Sequence, residues 1–128
     1  MAFDDRGGPV AAVGMDHVRL GYAYLDRGDL DGYASLLDPG TVLDEPGHEP
    51  VRGRGAVVGF RTSREGREHQ LHDVFAADGR VAAVGRVRDG GAGEVDFADI
   101  YTLSEHGLLL SQRRFYFVNP PRSTAVSA

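Results

Sequence analysis

An α+β fold, with about three N-terminal helices packed on a cone-shaped, curved antiparallel sheet, is the architecture this sequence predicts. Two observations carry the prediction. Apolar residues recur at helical spacing in the first half of the chain, and from Gln70 the period becomes that of strands. The strand-like runs are joined by short glycine-bearing connectors, which is the mark of hairpins. Helices first and long antiparallel strands after them form an α+β layout, in which the helices cover one face of the sheet.

Taken in order, residues 1–12 contain Gly and Pro with no period and read as a flexible arm. Met15, Val18, Tyr22 and Leu25 then fall on one helical face, with Asp16 as the cap and Gly28 as the stop. Asp29 can cap a second helix, in which Leu30, Tyr33, Ala34 and Leu37 share a face before Pro39 and Gly40. Thr41, Val42 and Leu43 read as a strand end. Pro46, Gly47 and Pro50 exclude regular structure after it. Gly55 to Arg64 reads as a third helix with Val57, Val58 and Phe60 inward and its arginines outward. Four strand runs follow: HQLHDVFAA, RVAAVGRVR, EVDFADIYTL and LLLSQRRFYFV. The two prolines after Asn119 end the last strand, so residues 119–128 read as a flexible tail.

Composition bounds the function. A chain of 128 residues suits one domain, 1–128. Its net charge of −5 argues against nucleic acid as a partner, since phosphate binding needs a positive field. No apolar run approaches the roughly 18 residues of a membrane span, and the acidic start is unlike a signal peptide, so a cytoplasmic protein is expected. The absence of cysteine excludes thiolate metal sites and cysteine nucleophiles, and agrees with that compartment. All 14 fixed cations are arginines, which removes Schiff-base chemistry.

Two carboxylates stand out. Asp44 ends an apolar strand at the rim of a turn-rich loop, where it can act as a base or merely begin the turn. Asp99 shares one strand face with Val95, Phe97, Tyr101 and Leu103. A carboxylate on such a face is paired, protonated or functional, with Arg114 as one possible partner. His72, by parity with Gln70 and Val74, either points into the cone or is a bonded wall residue. His48 and Glu49 sit beside Asp44. Arg86 and Arg88 share a strand face and either hold an anion or stand in solvent. Tyr22, Phe60, Phe97, Tyr101 and Tyr116 suit either a pocket for a flat ligand or a core without tryptophan. His17, His69 and His106 show no metal-ligand spacing, and no metal is expected.

The order of motifs resembles the cone-shaped fold shared by ketosteroid isomerases, SnoaL-like polyketide cyclases and nuclear-transport-factor-two-like proteins. The likeness covers Met15 to Val118. It rests on GDLDG at Gly28 to Gly32, a TV-x-D strand end, a Gly and Glu-Pro loop, a short helix ending at Phe60, ADIY in the third long strand, and the closing RRFYF run. The resemblance implies Asp44 as general base and Asp99 as a neutral donor to the developing oxyanion, an arrangement whose worked case is ketosteroid isomerase itself. Gly21 falls where those isomerases carry their oxyanion tyrosine, so Tyr22, Tyr101 or Tyr116 would replace it. Epoxide-opening relatives need an Arg and Asp two apart on a strand; here that strand reads Arg86-Val87-Arg88, and the last strand offers Phe115. The expected function is cofactor-free proton transfer next to a carbonyl, as an isomerase or intramolecular cyclase on a hydrophobic polyketide- or steroid-like molecule. The alternatives are a non-catalytic binding or assembly protein on the same fold, or an epoxide-opening hydrolase or cyclase. The resemblance also implies a homodimer through the outer face of the sheet.

Overall fold

A computed structural model describes residues 8–64, 66–90 and 93–117. Helix α1 spans Pro9–Arg27, longer than the expected helix from Asp16. Pro9 stands at its start, where its fixed φ suits the helix and its missing N–H is not needed. Residues 9–12 are therefore helical rather than part of an arm, and Asp16 lies exposed within the helix and caps nothing. The rest of the expected arm and the expected tail lie outside the described residues. Gly28 closes α1 in the left-handed conformation, φ 75°. Asp29 then caps α2, Leu30–Ser35, by accepting from the Gly32 N–H at 2.9 Å.

Leu37 was expected on α2 and instead opens strand β1, Leu37–Asp44. Pro39 cannot continue a helix, and the Leu109 N–H donates to the Leu36 carbonyl at 2.9 Å, drawing the chain into the sheet. Strand β2, Val51–Arg52, and helix α3, Arg54–Thr62, follow. Val57 faces inward as expected, but so does Arg61, which is only 5% exposed and so departs from the outward placement of the arginines.

The remaining strands are β3, Arg67–Ala77, β4, Arg80–Asp89, β5, Glu94–Leu103, and β6, Leu109–Phe117. They pair as the expected antiparallel meander, and the sheet order is β2-β1-β6-β5-β4-β3. The α+β layout therefore holds. Strand β1 joins β6 in parallel, so the six-stranded sheet is mixed, and it is not closed, because β2 and β3 are edges.

Two local features set which side chains meet. Asp78 and Gly79 both have positive φ, 54° and 75°, the conformation of a tight type I′ hairpin that twists with its strands. Between Leu71 and Asp73 the register of β3 on β4 shifts, leaving His72 as an extra, bulged residue. The bulge reverses the alternation of β3. Before it Arg67, His69 and Leu71 turn toward the helices, and after it Val74 and Ala76 do. Gly85 lies opposite, and a Cβ there would sit 2.1 Å from the Gln70 carbonyl oxygen, so only glycine lets the bulged backbone approach.

The core lies between the helices and the inner sheet face. Val18, Tyr22, Tyr33 and Val57 from the helices meet Leu43, Val81, Ala83, Val87, Phe97, Tyr101 and Leu109. Gly85→Ala should push β3 from β4 at the bulge and cost about 1–3 kcal/mol, as overpacking does, measured by urea unfolding.

Candidate functional site

The inner face of β5 and β6 holds a fully buried ion pair. Arg114 Nε donates to Asp99 Oδ1 and Nη2 to Oδ2, each at 2.7 Å, and both side chains are 0% exposed. Two more donors reach Oδ2: the Tyr22 hydroxyl at 2.5 Å and Gln112 Nε2 at 2.9 Å. Tyr22 accepts in turn from the Tyr101 hydroxyl at 2.7 Å. Asp99 is thus an acceptor to four donors, with its charge matched by a bidentate guanidinium. Burial works against a charged Arg114, but its contacts with Asp99 outweigh that and hold its pKa above the ordinary range. Burial first, then the neighbouring Tyr101 and Asp99, raises Tyr22 well above the usual phenol value.

Gln112 connects this pair to a second one. Its Oε1 accepts from Arg61 Nη2 at 2.9 Å, while Arg61 Nη1 lies 3.3 Å from Glu45 Oε2 and Nε donates to the Tyr33 hydroxyl at 3.2 Å. Glu45 is 4% exposed and also sits 3.8 Å from Arg67 Nη1.

Beside these pairs lies a histidine that sequence spacing missed. His69 is on β3 before the bulge, with its side chain 3% exposed. Its Nδ1 is 2.7 Å from Asp26 Oδ1, and its backbone N–H donates to Asp26 Oδ2 at 2.9 Å. A carboxylate only accepts, so Nδ1 carries the proton and the lone pair of the neutral ring is on Nε2. That Nε2 is buried and has no hydrogen-bond partner within the protein. The ring packs 5.0 Å from Tyr22 and 5.7 Å from Phe97 between centroids. Burial lowers the pKa of His69 below 6.5, opposed by the Asp26 hydrogen bond and assisted by the cationic Arg114 and Arg61. Among the described residues, two other buried side-chain nitrogens have no hydrogen-bond partner in the protein, Arg67 Nη1 and Arg114 Nη1. Arg114 stacks its guanidinium 4.3 Å from the Phe97 ring centre, so His69 and Arg114 flank the same ring.

A cleft opens at the end of this network, lined by Leu25, Gly28, Leu30, Arg61, Arg64, Arg67 and His69. Its interior space of about 20 Å³ seats roughly one water, and with the open mouth it encloses about 350 Å³. Arg64 forms its lip, stacked 4.2 Å over Phe60 and 3.1 Å from His48 Nε2. Among the described residues no acidic side chain lines the cleft.

The residues singled out in the sequence divide sharply. Tyr22, Phe97, Asp99 and Tyr101 are buried together, Tyr116 lies under Arg114, and Phe60 is half-buried at the lip. Asp44 is not with them. Leu43 turns inward, so Asp44 turns outward, where its side chain is 44% exposed and 3.7 Å from Arg113 Nε. Glu45, one residue on, supplies the inward carboxylate. His72 is exposed on the bulge, which removes it from the cleft. Arg86 and Arg88 take the solvated placement, paired with Asp96, Glu94 and Glu68 on the outer face. Glu49 is exposed. Among the described residues no cluster of three or more His, Asp or Glu could hold a metal, and no helix is long and apolar enough to cross a membrane.

Helices on one face of an open mixed sheet form an α+β fold that is similar to solved structures described as NTF2-like. The chain belongs to the SnoaL-like domain family, whose model matches residues 5–112. No curated protein matches its sequence. Among solved structures it is similar to Bal32a from a soil-derived mobile gene cassette, at 22% identity and TM-score 0.78 over 85% of this chain and 92% of that one. A candidate ketosteroid isomerase from Kribbella flavida DSM 17836 matches at 16% identity and TM-score 0.77, over 91% and 88% of the two chains. The epoxide hydrolase/cyclase-like enzyme SalBIII, of pyran ring formation in salinomycin, matches at 16% identity and TM-score 0.71, over 82% and 91%. At these identities the likeness establishes the fold.

Replacing Asp99 with Asn would put an amide donor among four donors and leave Arg114 buried without its counter-ion. A loss of about 3–5 kcal/mol in urea unfolding is expected, the range for breaking a buried pair.

Proposed function

We propose that this SnoaL-like protein moves a proton at a carbon next to a carbonyl of a hydrophobic small molecule, with His69 as the base. One observation carries the reading: a buried imidazole, oriented by Asp26 at Nδ1 and without a protein partner at Nε2, at the end of a cleft. A base must be unprotonated near neutral pH and held in one orientation, and burial and Asp26 meet those two needs. The enolate oxygen formed on proton removal requires a donor. Arg114 Nη1, packed against the same Phe97 ring and without a hydrogen bond in the protein, is the candidate, and Tyr22 is its neighbour through Asp99. In this reading Asp99 positions Tyr22 and Arg114 rather than donating a proton, and Asp44 stands outside the chemistry. An isomerase and an intramolecular cyclase share this first step.

A second reading, ligand binding without turnover, is favoured by the saturated hydrogen bonding of Asp99 and the small interior space. The two readings part in an exchange assay. β,γ-Unsaturated cyclic ketones and aryl β-diketones incubated in D2O should gain deuterium next to the carbonyl with the wild-type protein and with Asp44→Asn, and at least a hundredfold more slowly with His69→Gln. Exchange that survives in His69→Gln but not in Asp44→Asn would overturn the base, and no exchange anywhere would favour binding.

The pH dependence follows from the lowered His69 pKa. Below that value the base is protonated, so kcat/KM should fall on the acid side with a midpoint under 6.5. Stability should fall over the same interval. The unfolded histidine takes up its proton first, and stability therefore rises with pH from the folded value up to about 6.5, then levels.

We also propose a homodimer through the outer sheet face. Phe75, Phe115 and Phe117 are 52%, 42% and 53% exposed there, beside Ala82, Ala98 and Ile100. Sedimentation should give twice the 13.8 kDa chain mass, and Phe115→Glu should return the monomer.

A further inference from the structure

The base sits in unusual electrostatic company, because three of the seven residues that line the cleft are arginines. Arg61 and Arg67 line its inner wall and Arg64 its lip, while its apolar lining is Leu25 and Leu30. The three guanidiniums are not equivalent. Arg61 is saturated by Tyr33, Glu45 and Gln112 and acts as a fixed wall charge. Arg64 is held at the rim by Ser63 and His48 over Phe60. Arg67 is anchored through Nε to Asp89 at 3.4 Å, which leaves Nη1 buried without a hydrogen bond, 3.8 Å from Glu45. Of the three, it is the one with a buried nitrogen that makes no hydrogen bond.

We propose that the substrate carries a carboxylate as well as its carbonyl, and that the cleft binds this carboxylate through Arg67 Nη1 on the inside and Arg64 at the lip. The inference deepens the proton-transfer reading and rests on it for the role of His69. A planar, two-oxygen anion matches the guanidinium fork, and its edge fits an interior that seats about one water, where a tetrahedral phosphate does not. Leu25, Leu30 and Phe60 supply an apolar border for the rest of the molecule. Arg67 and His69 lie two residues apart on one strand face, roughly 7 Å along β3. That spacing places the carboxylate several bonds from the carbon that loses its proton, so the class is an aromatic or alicyclic keto acid.

The charges around His69 make an anionic substrate more than a binding preference. Asp26 and Tyr22 face it from α1, Arg61 from α3, Arg67 from its own strand and Arg114 from β6. Taking a proton turns the ring into a cation among three guanidiniums. An entering carboxylate supplies the missing negative charge and makes the protonated ring easier to form. The base then becomes stronger when substrate is bound.

The test uses the intact protein with 1-naphthoate, the isosteric 1-naphthamide and inorganic phosphate as probes, followed by NMR titration of the His69 ring. Naphthoate should bind at least tenfold more tightly than the amide and raise the His69 pKa, whereas the amide should leave that pKa unchanged. The tenfold preference should disappear in Arg67→Gln and shrink in Arg64→Gln, a rim substitution that leaves the buried network intact. Equal binding of acid and amide, an unchanged preference in both variants, or phosphate binding as tight as naphthoate would overturn the proposal. Binding is read without turnover, so the two readings separate. Carboxylate preference with no deuterium exchange sinks the reaction and keeps the anion site, and exchange without carboxylate preference does the reverse.

Discussion

The buried pair of Asp99 and Arg114 is the constraint on which the rest of the interior depends. Two charges removed from water are tolerated when the geometry is good and further hydrogen bonds satisfy the carboxylate. Asp99 achieves this with four donors drawn from α1, β5's neighbour β6, and the bidentate guanidinium. Meeting that requirement draws in other elements. Gln112 satisfies Asp99 with its amide nitrogen, which leaves its oxygen to accept from Arg61, and Arg61 then requires Glu45. One pair thus fixes α1, α3, β6 and the loop after β1 relative to one another.

Such a network is a poor way to gain stability. Apolar residues of similar volume would hold the same elements together at least as well. The network also leaves nitrogens of Arg67, His69 and Arg114 buried without a hydrogen-bond partner in the protein, at about 1–3 kcal/mol each. Against a total stability of about 5–15 kcal/mol for a domain, that is a large cost to carry. The three groups are related in space, two packed against Phe97 and two on one face of β3, which is what the proposed site rests on.

The architecture was legible because it rests on local periodicity. The helical stripe of Val18 and Tyr22, the Asp29 cap, the Asp78-Gly79 turn and the inward face of Phe97, Asp99 and Tyr101 all follow from spacing within one element. The candidate site was half legible for the opposite reason. His69 and Asp26 are 43 positions apart, and Arg61 and Gln112 are 51 apart, so no local pattern joins them. Parity along β3 misleads at His72, because a bulge reverses the alternation there and only the crowding at Gly85 marks it. Asp44 and Glu45 are adjacent carboxylates at a strand end, where a single residue decides the face. Arg61 was assigned to solvent by the rule that charges lie outside, a rule that fails when a buried partner exists.

In the proposed reading, the same electrostatics favour a histidine over a pair of aspartates as the base. With Arg61, Arg67 and Arg114 inside, any carboxylate on the inner face is captured by a guanidinium, as Glu45 and Asp99 both are. In general a nearby cation favours the charged form of a carboxylate. A neutral imidazole responds in the opposite sense. Burial first, and then the cationic Arg114 and Arg61, lower the His69 pKa, and its Nε2 has no hydrogen-bond partner in the protein. Under the proposed reading, such an interior favours a neutral histidine as the base. It does so at the expense of basic strength, which an anionic ligand in the adjoining cleft would restore.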